Sequence, residues 1–121
     1  MKSKESMYQK MVVRYCDLRR IPIFHIPNGG KRNSKEAAHL KEQGVKPGVP
    51  DLCIPVACGI YHGLYIEMKA DKNKTTDKQD EWLELLSKNG YQTAVCWSFD
   101  EARAVIDKYI SLKEGEQIAE M

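Results

Sequence analysis

The spacing of apolar residues along the chain predicts an amphipathic helix near each end. Over 5–19, apolar side chains recur at helical intervals, at Met7, Met11, Tyr15 and Leu18, with Val12 and Cys16 beside them. Over 98–110, a regular apolar stripe follows Ser98-x-x-Glu101, which has the form of a capping box. The stripe consists of Ala102, Val105, Ile106, Tyr109 and Ile110. Both segments therefore have the pattern of a helix that is apolar on one side.

The chain after the first helix contains a short apolar run bracketed by turn residues. The run 22–27 is partly β-branched and bracketed by prolines, and it predicts a strand that ends at Asn28-Gly29-Gly30. Ser34 then has the character of an N-cap for a short helix that Gly44 ends. This part of the chain is therefore predicted to be a strand followed by a short helix.

The next part of the chain predicts a β-hairpin, a helix and a strand. Two apolar runs, 51–58 and 64–70, are separated by a turn-like segment and predict the hairpin. Thr76-x-x-Gln79 fits a capping box and begins a helix that Gly90 ends. The apolar residues of this helix, which we expect in the core, are Trp82, Leu83, Leu85 and Leu86. The alternating segment 91–97 predicts a buried strand.

The order helix, strand, short helix, hairpin, helix, strand, helix indicates an α/β domain on a mixed sheet. The strand at 91–97 follows the hairpin through a helix, so it should lie parallel to its neighbour with a right-handed crossover. A chain of 121 residues suits one domain, which we place over 1–113, with a frayed tail over 114–121.

Composition and charge narrow the classes of function. The 19 Lys and Arg nearly balance the 17 Asp and Glu, which argues against a protein that binds nucleic acid through bulk charge alone. No apolar run approaches the ~20 residues that span a bilayer, and the start of the chain lacks the apolar segment of a signal peptide. We therefore expect neither a membrane protein nor a secreted one. The cysteines form no CxxC pair and are expected to be free core thiols: Cys16, Cys53, Cys58 and Cys96.

Three charged residues interrupt the apolar hairpin and are the candidates for chemistry. Asp51 opens the first strand, and Glu67 and Lys69 lie in the second. Strand alternation places Glu67 and Lys69 on one face with Tyr65, while the residues between them point to the other face. If Asp51 heads the partner strand, its carboxylate can reach Glu67. Two close carboxylates repel unless a cation or a proton lies between them.

This arrangement suits phosphodiester hydrolysis with a divalent cation. Two carboxylates and a main-chain carbonyl are oxygen ligands of the kind that Mg²⁺ or Mn²⁺ prefers, with water completing the shell. Water on such a cation has a lowered pKa, and Lys69 can orient that water and neutralise charge on the phosphate. The chain has no G-x-S-x-G or P-loop motif. Metal-dependent hydrolysis therefore accounts for the three charged residues together.

Three motifs follow one another in this part of the chain: Gly48-Val49-Pro50-Asp51-Leu52, then Ile66-Glu67-Met68-Lys69, then Gln79 with Trp82. Together they resemble the VRR-NUC (virus-type replication-repair nuclease) family of the PD-(D/E)XK nuclease superfamily. The upstream Ile26-Pro27-Asn28-Gly29-Gly30 also fits, so the resemblance covers nearly the whole chain. It implies a restriction-endonuclease-like core, with a mixed central sheet flanked by helices.

The resemblance implies a role for each residue of the hairpin that matches. Asp51 and Glu67 match the metal ligands, together with the main-chain carbonyl of Met68, and Lys69 matches the catalytic lysine. The cofactor implied is Mg²⁺ or Mn²⁺.

Two residues outside the hairpin also match the family. Gln79 matches an accessory polar residue of the active face, although as the last residue of Thr76-x-x-Gln79 it could simply close a capping box. Glu5 matches the acidic residue of the first helix, which would act on the metal through water.

The resemblance implies a small phage-type DNA endonuclease that acts as a homodimer. Its expected substrate is branched DNA, such as flaps or four-way junctions. Its expected place is the cytoplasm of a bacterium or of a phage-infected host, with a role in DNA repair. Two alternatives stay open: a non-catalytic DNA-binding module of the same fold, and an RNA-directed nuclease, because the sequence carries no signal for the 2′-hydroxyl.

Two polar segments could contact DNA. The first consists of Asn28, Lys31 and Arg32, where the two glycines would let the backbone approach a phosphate closely, although a plain turn is the simpler interpretation. The second follows the ExK motif and consists of Lys72, Lys74 and Lys78, which could instead be a solvated loop.

Overall fold

The computed structural model describes residues 3–27 and 33–118, and it has the predicted order of helices and strands. The helices are α1 (Lys4–Leu18), α2 (Ser34–Glu42), α3 (Asp77–Lys88) and α4 (Phe99–Ile110). The strands are β1 (Phe24–His25), β2 (Leu52–Ile54), β3 (Leu64–Met68) and β4 (Gln92–Cys96). The α/β class is therefore confirmed.

The strands form one mixed sheet in the order β1-β2-β3-β4. The pairs β1–β2 and β2–β3 are antiparallel, and β4 runs parallel to β3, as the helix between them predicts. In the predicted hairpin, Leu52 pairs with Ile66. Continuing this register by one position sets Asp51 opposite Glu67, where paired side chains have Cβ atoms roughly 4.5–5.5 Å apart.

Helices α1 and α4 cover one face of the sheet. Val12 and Cys16 of α1 are fully buried, as are Ile106 and Tyr109 of α4. They pack in one cluster with the sheet residues Leu52, Ile54, Leu64, Ile66 and Met68. The even-numbered residues of β3 therefore face this core, as strand alternation predicts, and the alternate residues face the other side.

Helix α3 contacts the opposite face of the sheet, where Gln79 bonds to Glu67. The predicted capping box of Thr76 and Gln79 is present. The expectation that Trp82 and its neighbouring leucines lie in the core is wrong, because no residue of α3 is fully buried and Leu85 is 50% exposed. One side of α3 is open to solvent instead.

Three elements differ from their predicted bounds or burial. Asn33 rather than Ser34 is the N-cap of α2, because the Asn33 side chain accepts a hydrogen bond from the backbone N–H of Glu36. The strand predicted over 22–27 contracts to β1, whose residues are both exposed. Strand β4 is only half-buried along most of its length, because it is an edge strand with one paired neighbour.

The apolar stripe of α1 does not mark its buried face. Met7, Met11 and Leu18 are 50%, 43% and 75% exposed. Val12 and Cys16, beside the stripe, are the fully buried residues of this helix. Packing against α4 therefore determines which side of α1 faces the core.

Only half of the predicted capping box at the start of α4 forms. The hydroxyl of Ser98 accepts a hydrogen bond from the backbone N–H of Glu101 at 3.1 Å. The Glu101 carboxylate instead accepts the backbone N–H of Trp97, at 3.2 Å. Ser98 thus caps the helix, but the Glu101 side chain bonds to the N–H of Trp97 rather than to that of Ser98.

The chain beyond α4 contacts the turn of the hairpin. The backbone N–H of Ile60 donates to the carbonyl of Glu116 at 2.9 Å. The N–H of Ile118 donates to the Tyr61 hydroxyl at 3.1 Å, and its side chain packs against the core. These contacts connect residues 116 and 118 to the turn of the hairpin.

Two further features bear on the class of protein. All four cysteines are free, and burial raises the pKa of Cys16 to about 11 and that of Cys96 to about 12. These thiols therefore stay protonated, which makes them structural rather than reactive. Within the part of the chain that the structure describes, no helix combines the length and apolar character needed to cross a membrane.

Candidate active site

Asp51 lies at the entry to β2 and is held by the strands on both sides. Its Oδ2 accepts a hydrogen bond from the backbone N–H of Met68 at 2.8 Å. Its main-chain carbonyl accepts the N–H of Ile26 at 2.8 Å and lies 2.8 Å from Nδ1 of His25. The Asp51 carboxylate is therefore fixed beside β3, and its main chain is fixed by β1.

Glu67 is the buried centre of the site, with 3% of its surface exposed. Its Oε2 accepts a hydrogen bond from Nε2 of Gln79 at 3.0 Å and lies 3.8 Å from Nζ of Lys69. Its Oε1 is buried and has no hydrogen-bond partner among the described residues. Because a buried carboxylate oxygen without a partner costs free energy, this atom indicates a position for a cation or a proton.

Burial raises the pKa of both carboxyls, and it is the largest effect on each. For Glu67, burial is the largest effect and the charge of Asp51 adds to it, so that the pKa rises to about 8 although Lys69 opposes the shift. Burial also raises the pKa of Asp51, against the lowering effect of the Met68 N–H. The charge of Glu5 raises both values, so Glu5 lies within electrostatic reach. Without a cation, the pair retains a proton at neutral pH.

Lys69 directly follows β3 and is 7% exposed. Its backbone N–H donates to the carbonyl of Cys96 at 2.8 Å, which continues the pairing of β3 with β4. A buried ammonium needs nearby negative charge, and the Asp51–Glu67 pair, which keeps one negative charge when it holds one proton, supplies it. The predicted triad of Asp51, Glu67 and Lys69 therefore shares one face of the hairpin.

Gln79 closes the predicted capping box and also contacts Glu67. Its Oε1 accepts the backbone N–H of Thr76 at 2.9 Å, and its own N–H donates to the Thr76 hydroxyl at 3.2 Å. Its Nε2 remains available to donate to Glu67. The start of α3 thereby orients the buried carboxylate.

Glu5, in the first turn of α1, contacts the loop that follows β3. Nδ2 of Asn73 donates to Oε2 of Glu5 at 3.3 Å. The loop is held by Trp97, whose Nε1 donates to the Asn73 carbonyl at 2.7 Å, and by the ion pair of Lys4 with Asp71 at 2.8 Å. Sequence reasoning missed Asn73, whose only signal is its place in the polar loop after the ExK motif.

The arrangement fits a hard divalent cation. Within 3–27 and 33–118, no three His, Cys, Asp or Glu side chains are grouped so as to hold a metal ion by themselves. Mg²⁺ commonly uses only one or two carboxylates and keeps several waters. Asp51 and Glu67 supply that number, and the buried Oε1 of Glu67 has no hydrogen-bond partner among the described residues. The Met68 carbonyl and Glu5 remain the further ligands that the sequence predicts.

Comparison with known proteins identifies the family. The sequence model of the VRR-NUC domain matches residues 3–100. The chain belongs to the VRR-NUC family. A solved structure named "VRR_NUC domain protein" is 35% identical, covers 100% of this chain and 99% of its own, and superimposes with a TM-score of 0.79. No curated protein matches the chain. The family assignment and the PD-(D/E)XK-like fold that the motifs predict are therefore confirmed.

The first motif of this VRR-NUC domain also positions α3. Gly48 has a φ of +88°, and a Cβ there would lie 2.7 Å from the main-chain carbonyl carbon of Lys78. Both the backbone conformation and the close approach therefore require glycine. The loop that carries Asp51 thus packs directly against the residue that precedes Gln79.

The lysines predicted to contact DNA lie on the exposed rim of the VRR-NUC site. Lys72 and Lys74 are exposed in the loop between β3 and α3. Lys78 is exposed on α3 and forms an ion pair with Glu81 at 3.7 Å. The other predicted contacts, Asn28, Lys31 and Arg32, lie outside the described residues.

Proposed function

We propose that this VRR-NUC domain is an endonuclease that hydrolyses DNA phosphodiester bonds with Mg²⁺ or Mn²⁺. The observation that carries the proposal is the buried Oε1 of Glu67, which has no partner among the described residues and belongs to a carboxyl opposite Asp51. Two neighbouring acids with raised pKa, one of them buried, reduce the stability of a fold at neutral pH, and such pairs are concentrated at functional sites.

In this proposal the hairpin holds the cation. Asp51, Glu67 and the main-chain carbonyl of Met68 would hold it, and Glu5 would contribute through water. When bound, the cation would supply positive charge that lowers the pKa of water and neutralises the phosphoryl oxygens. The Met68 N–H that bonds to Oδ2 of Asp51 leaves the other carboxylate oxygen of that residue for this purpose.

Lys69 and Gln79 have complementary tasks. Lys69 would orient the attacking water and stabilise the negative charge that develops on the phosphate. Its Nζ lies 3.8 Å from Oε2 of Glu67, which places it beside the carboxylates that would hold the cation. Gln79 fixes Oε2 of Glu67, so that the carboxyl presents Oε1 in one orientation. The protein thereby prepares the site before the substrate binds.

We further propose that the substrate is branched DNA, such as a flap or a four-way junction, and that the domain acts as a homodimer. The resemblance to the VRR-NUC family supports both. A domain of 121 residues offers a limited surface to such a substrate, and a two-fold pair would present two sites to symmetric strands.

The test is a cleavage assay on labelled duplex, flap and four-way junction DNA and on matching RNA, each in Mg²⁺, Mn²⁺ or EDTA. The proposal predicts products from branched DNA in either metal and none in EDTA. Binding to branched DNA with no products in Mn²⁺ would instead identify a non-catalytic module. Products from RNA alone would identify an RNA-directed nuclease.

A further inference from the structure

We propose that a cavity beside the side chains of Asp51, Glu67 and Lys69, called here the catalytic cluster, binds an unpaired nucleobase next to the scissile phosphate. This inference rests on the proposed nuclease function and specifies which part of the substrate the domain recognises. The cavity has a volume of about 450 Å³, which lies within the range of small-ligand sites. Its apolar walls include Ile26, Val45, Val49, Tyr65, Trp82 and Leu86.

The elements that carry the catalytic cluster also carry the aromatic walls of this cavity. Tyr65 lies two residues before Glu67 on the same face of β3, which corresponds to roughly 7 Å along the strand. Trp82 lies three residues after Gln79, so both lie on the same side of α3. A nucleotide adjacent to a phosphate bound at the cluster is therefore within reach of the cavity.

The lining suits a flat aromatic ring with polar edges. Tyr65 is held by Tyr91, with ring centroids 5.3 Å apart and ring planes at 76°, which restricts its motion. Trp82 is half-buried and supplies a second aromatic surface. Nucleobases stack on such surfaces whatever their identity, because every base has a π-face. Gln43 and Lys46 add hydrogen-bonding groups, which suit the edges of a base and the neighbouring phosphate.

An unpaired base is the occupant that this chemistry favours. A base inside a duplex must be unstacked and unpaired before it can enter a cavity, whereas a base at a flap or junction is already free. An apolar side chain from a second copy of the chain could pack against the apolar walls, but it would offer no hydrogen-bonding group or negative charge to Gln43 and Lys46. The cavity therefore offers a physical reason for selecting branched DNA over duplex.

The test compares an intact flap substrate with copies that carry one abasic residue at successive positions near the branch. Binding is measured by fluorescence anisotropy in EDTA, and cleavage is measured separately in Mn²⁺. We expect one position at which removal of the base weakens wild-type binding roughly 5- to 100-fold. Trp82→Ala should weaken binding of the intact flap to a similar extent, and removal of that base should then have little further effect.

Two more variants keep the test interpretable. Trp82→Phe retains an aromatic wall, so it should keep most of the difference in affinity between intact and abasic DNA. This variant provides the measurement if Trp82→Ala fails to fold. Leu85→Ala is the matched control, because Leu85 is 50% exposed on the same helix and does not line the cavity. It should bind both substrates as the wild type does.

Equal wild-type binding of the intact flap and of every abasic copy would overturn the nucleobase site. So would a Trp82→Ala variant that changes only the oligomeric state, because the cavity would then receive a second copy of the chain. A clear abasic effect on binding without any cleavage would support the cavity and count against the proposed hydrolysis. Failure of this inference and failure of the proposed function are thereby distinguished.

Discussion

Gln79 donates a hydrogen bond to Oε2 of Glu67 at 3.0 Å, while its own Oε1 accepts the backbone N–H of Thr76 at 2.9 Å. A single side chain thus begins α3 and orients the buried carboxylate of β3. The remaining oxygen of Glu67, Oε1, is the buried atom that has no partner among the described residues. The orientation of the Glu67 carboxylate therefore depends on Gln79, a residue that also belongs to the cap of α3.

The substitution Gln79→Glu should separate these two roles. The new carboxylate can still accept the Thr76 N–H, but it cannot donate to Glu67 and adds a repelling charge. We expect cleavage to fall about 10- to 100-fold, the range for loss of a group that orients a metal ligand. The control Thr76→Ala should cost about 1 kcal/mol in free energy of unfolding and leave cleavage nearly unchanged. Equal losses of cleavage in the two variants would contradict this role for Gln79.

Gly48→Ala should damage both stability and activity. The new Cβ would meet the main chain of Lys78 at 2.7 Å and would force α3 away from the hairpin. Gly115 also has a positive φ but open space around it, so Gly115→Ala isolates the backbone strain, about 1–2 kcal/mol. Compared with Gly115→Ala, Gly48→Ala should lose more free energy of unfolding in urea and more of the cleavage rate. A Gly48→Ala protein with full activity would refute the positioning role.

The stability of the metal-free protein should fall as the pH rises. Burial raises the pKa of Glu67 from 4.5 to about 8, so the folded protein holds a proton that the unfolded chain has released. The associated stability is fully present below pH 4.5 and is lost as the pH rises through about 8. One proton contributes a slope of at most about 1.4 kcal/mol per pH unit.

Urea unfolding in EDTA across this pH range measures that slope. Glu67→Gln should flatten it, whereas Glu84→Gln, a charge-matched change at an exposed ion pair of α3, should leave it unchanged. Mg²⁺ should stabilise the wild type increasingly as the pH rises, since it binds the ionised carboxyls. An unaltered slope in Glu67→Gln would show that Glu67 is not the group that retains the proton.

The exposed lysines after β3 should contribute to DNA affinity through phosphate charge. Replacing Lys72 and Lys74 by alanine should reduce the steepness of log affinity against log salt by about 0.9 for each lysine. Lys88, which pairs with Glu84 on α3, provides the matched control. Anisotropy titrations at several salt concentrations measure this dependence. If the Lys72/Lys74 double variant and the wild type have the same salt dependence, these lysines do not contact DNA phosphates.

The residues of the hairpin could be predicted because local rules govern them. Strand alternation places Glu67 and Lys69 on one face, and the antiparallel register sets Asp51 opposite Glu67. The capping box likewise depends on residues close in sequence. These relationships need no knowledge of how the helices pack.

Long-range packing accounts for what the sequence did not reveal. The hydrogen bond between Asn73 and Glu5 joins residues far apart in the chain, and no local sequence pattern predicts it. The periodicity of α1 predicts a helix, but Met7 and Met11 are exposed because α4 packs against a different side. Trp82 has a large apolar side chain of the kind expected in a core, yet it lines an open cavity. The roles proposed for Asp51, Glu67 and Lys69 are still predictions.

Single-turnover cleavage of a flap substrate in Mn²⁺ tests the central claim most directly. The measurement compares the wild type with Asp51→Asn, Glu67→Gln and Lys69→Met, and with the control Asp100→Asn, which removes the same charge from an exposed residue of α4. The account predicts loss of at least about 100-fold in each of the three site variants, with folding retained and Asp100→Asn unaffected. EDTA should abolish cleavage by the wild type. Cleavage at the wild-type rate by any of the three site variants, or by the wild type in EDTA, would contradict it.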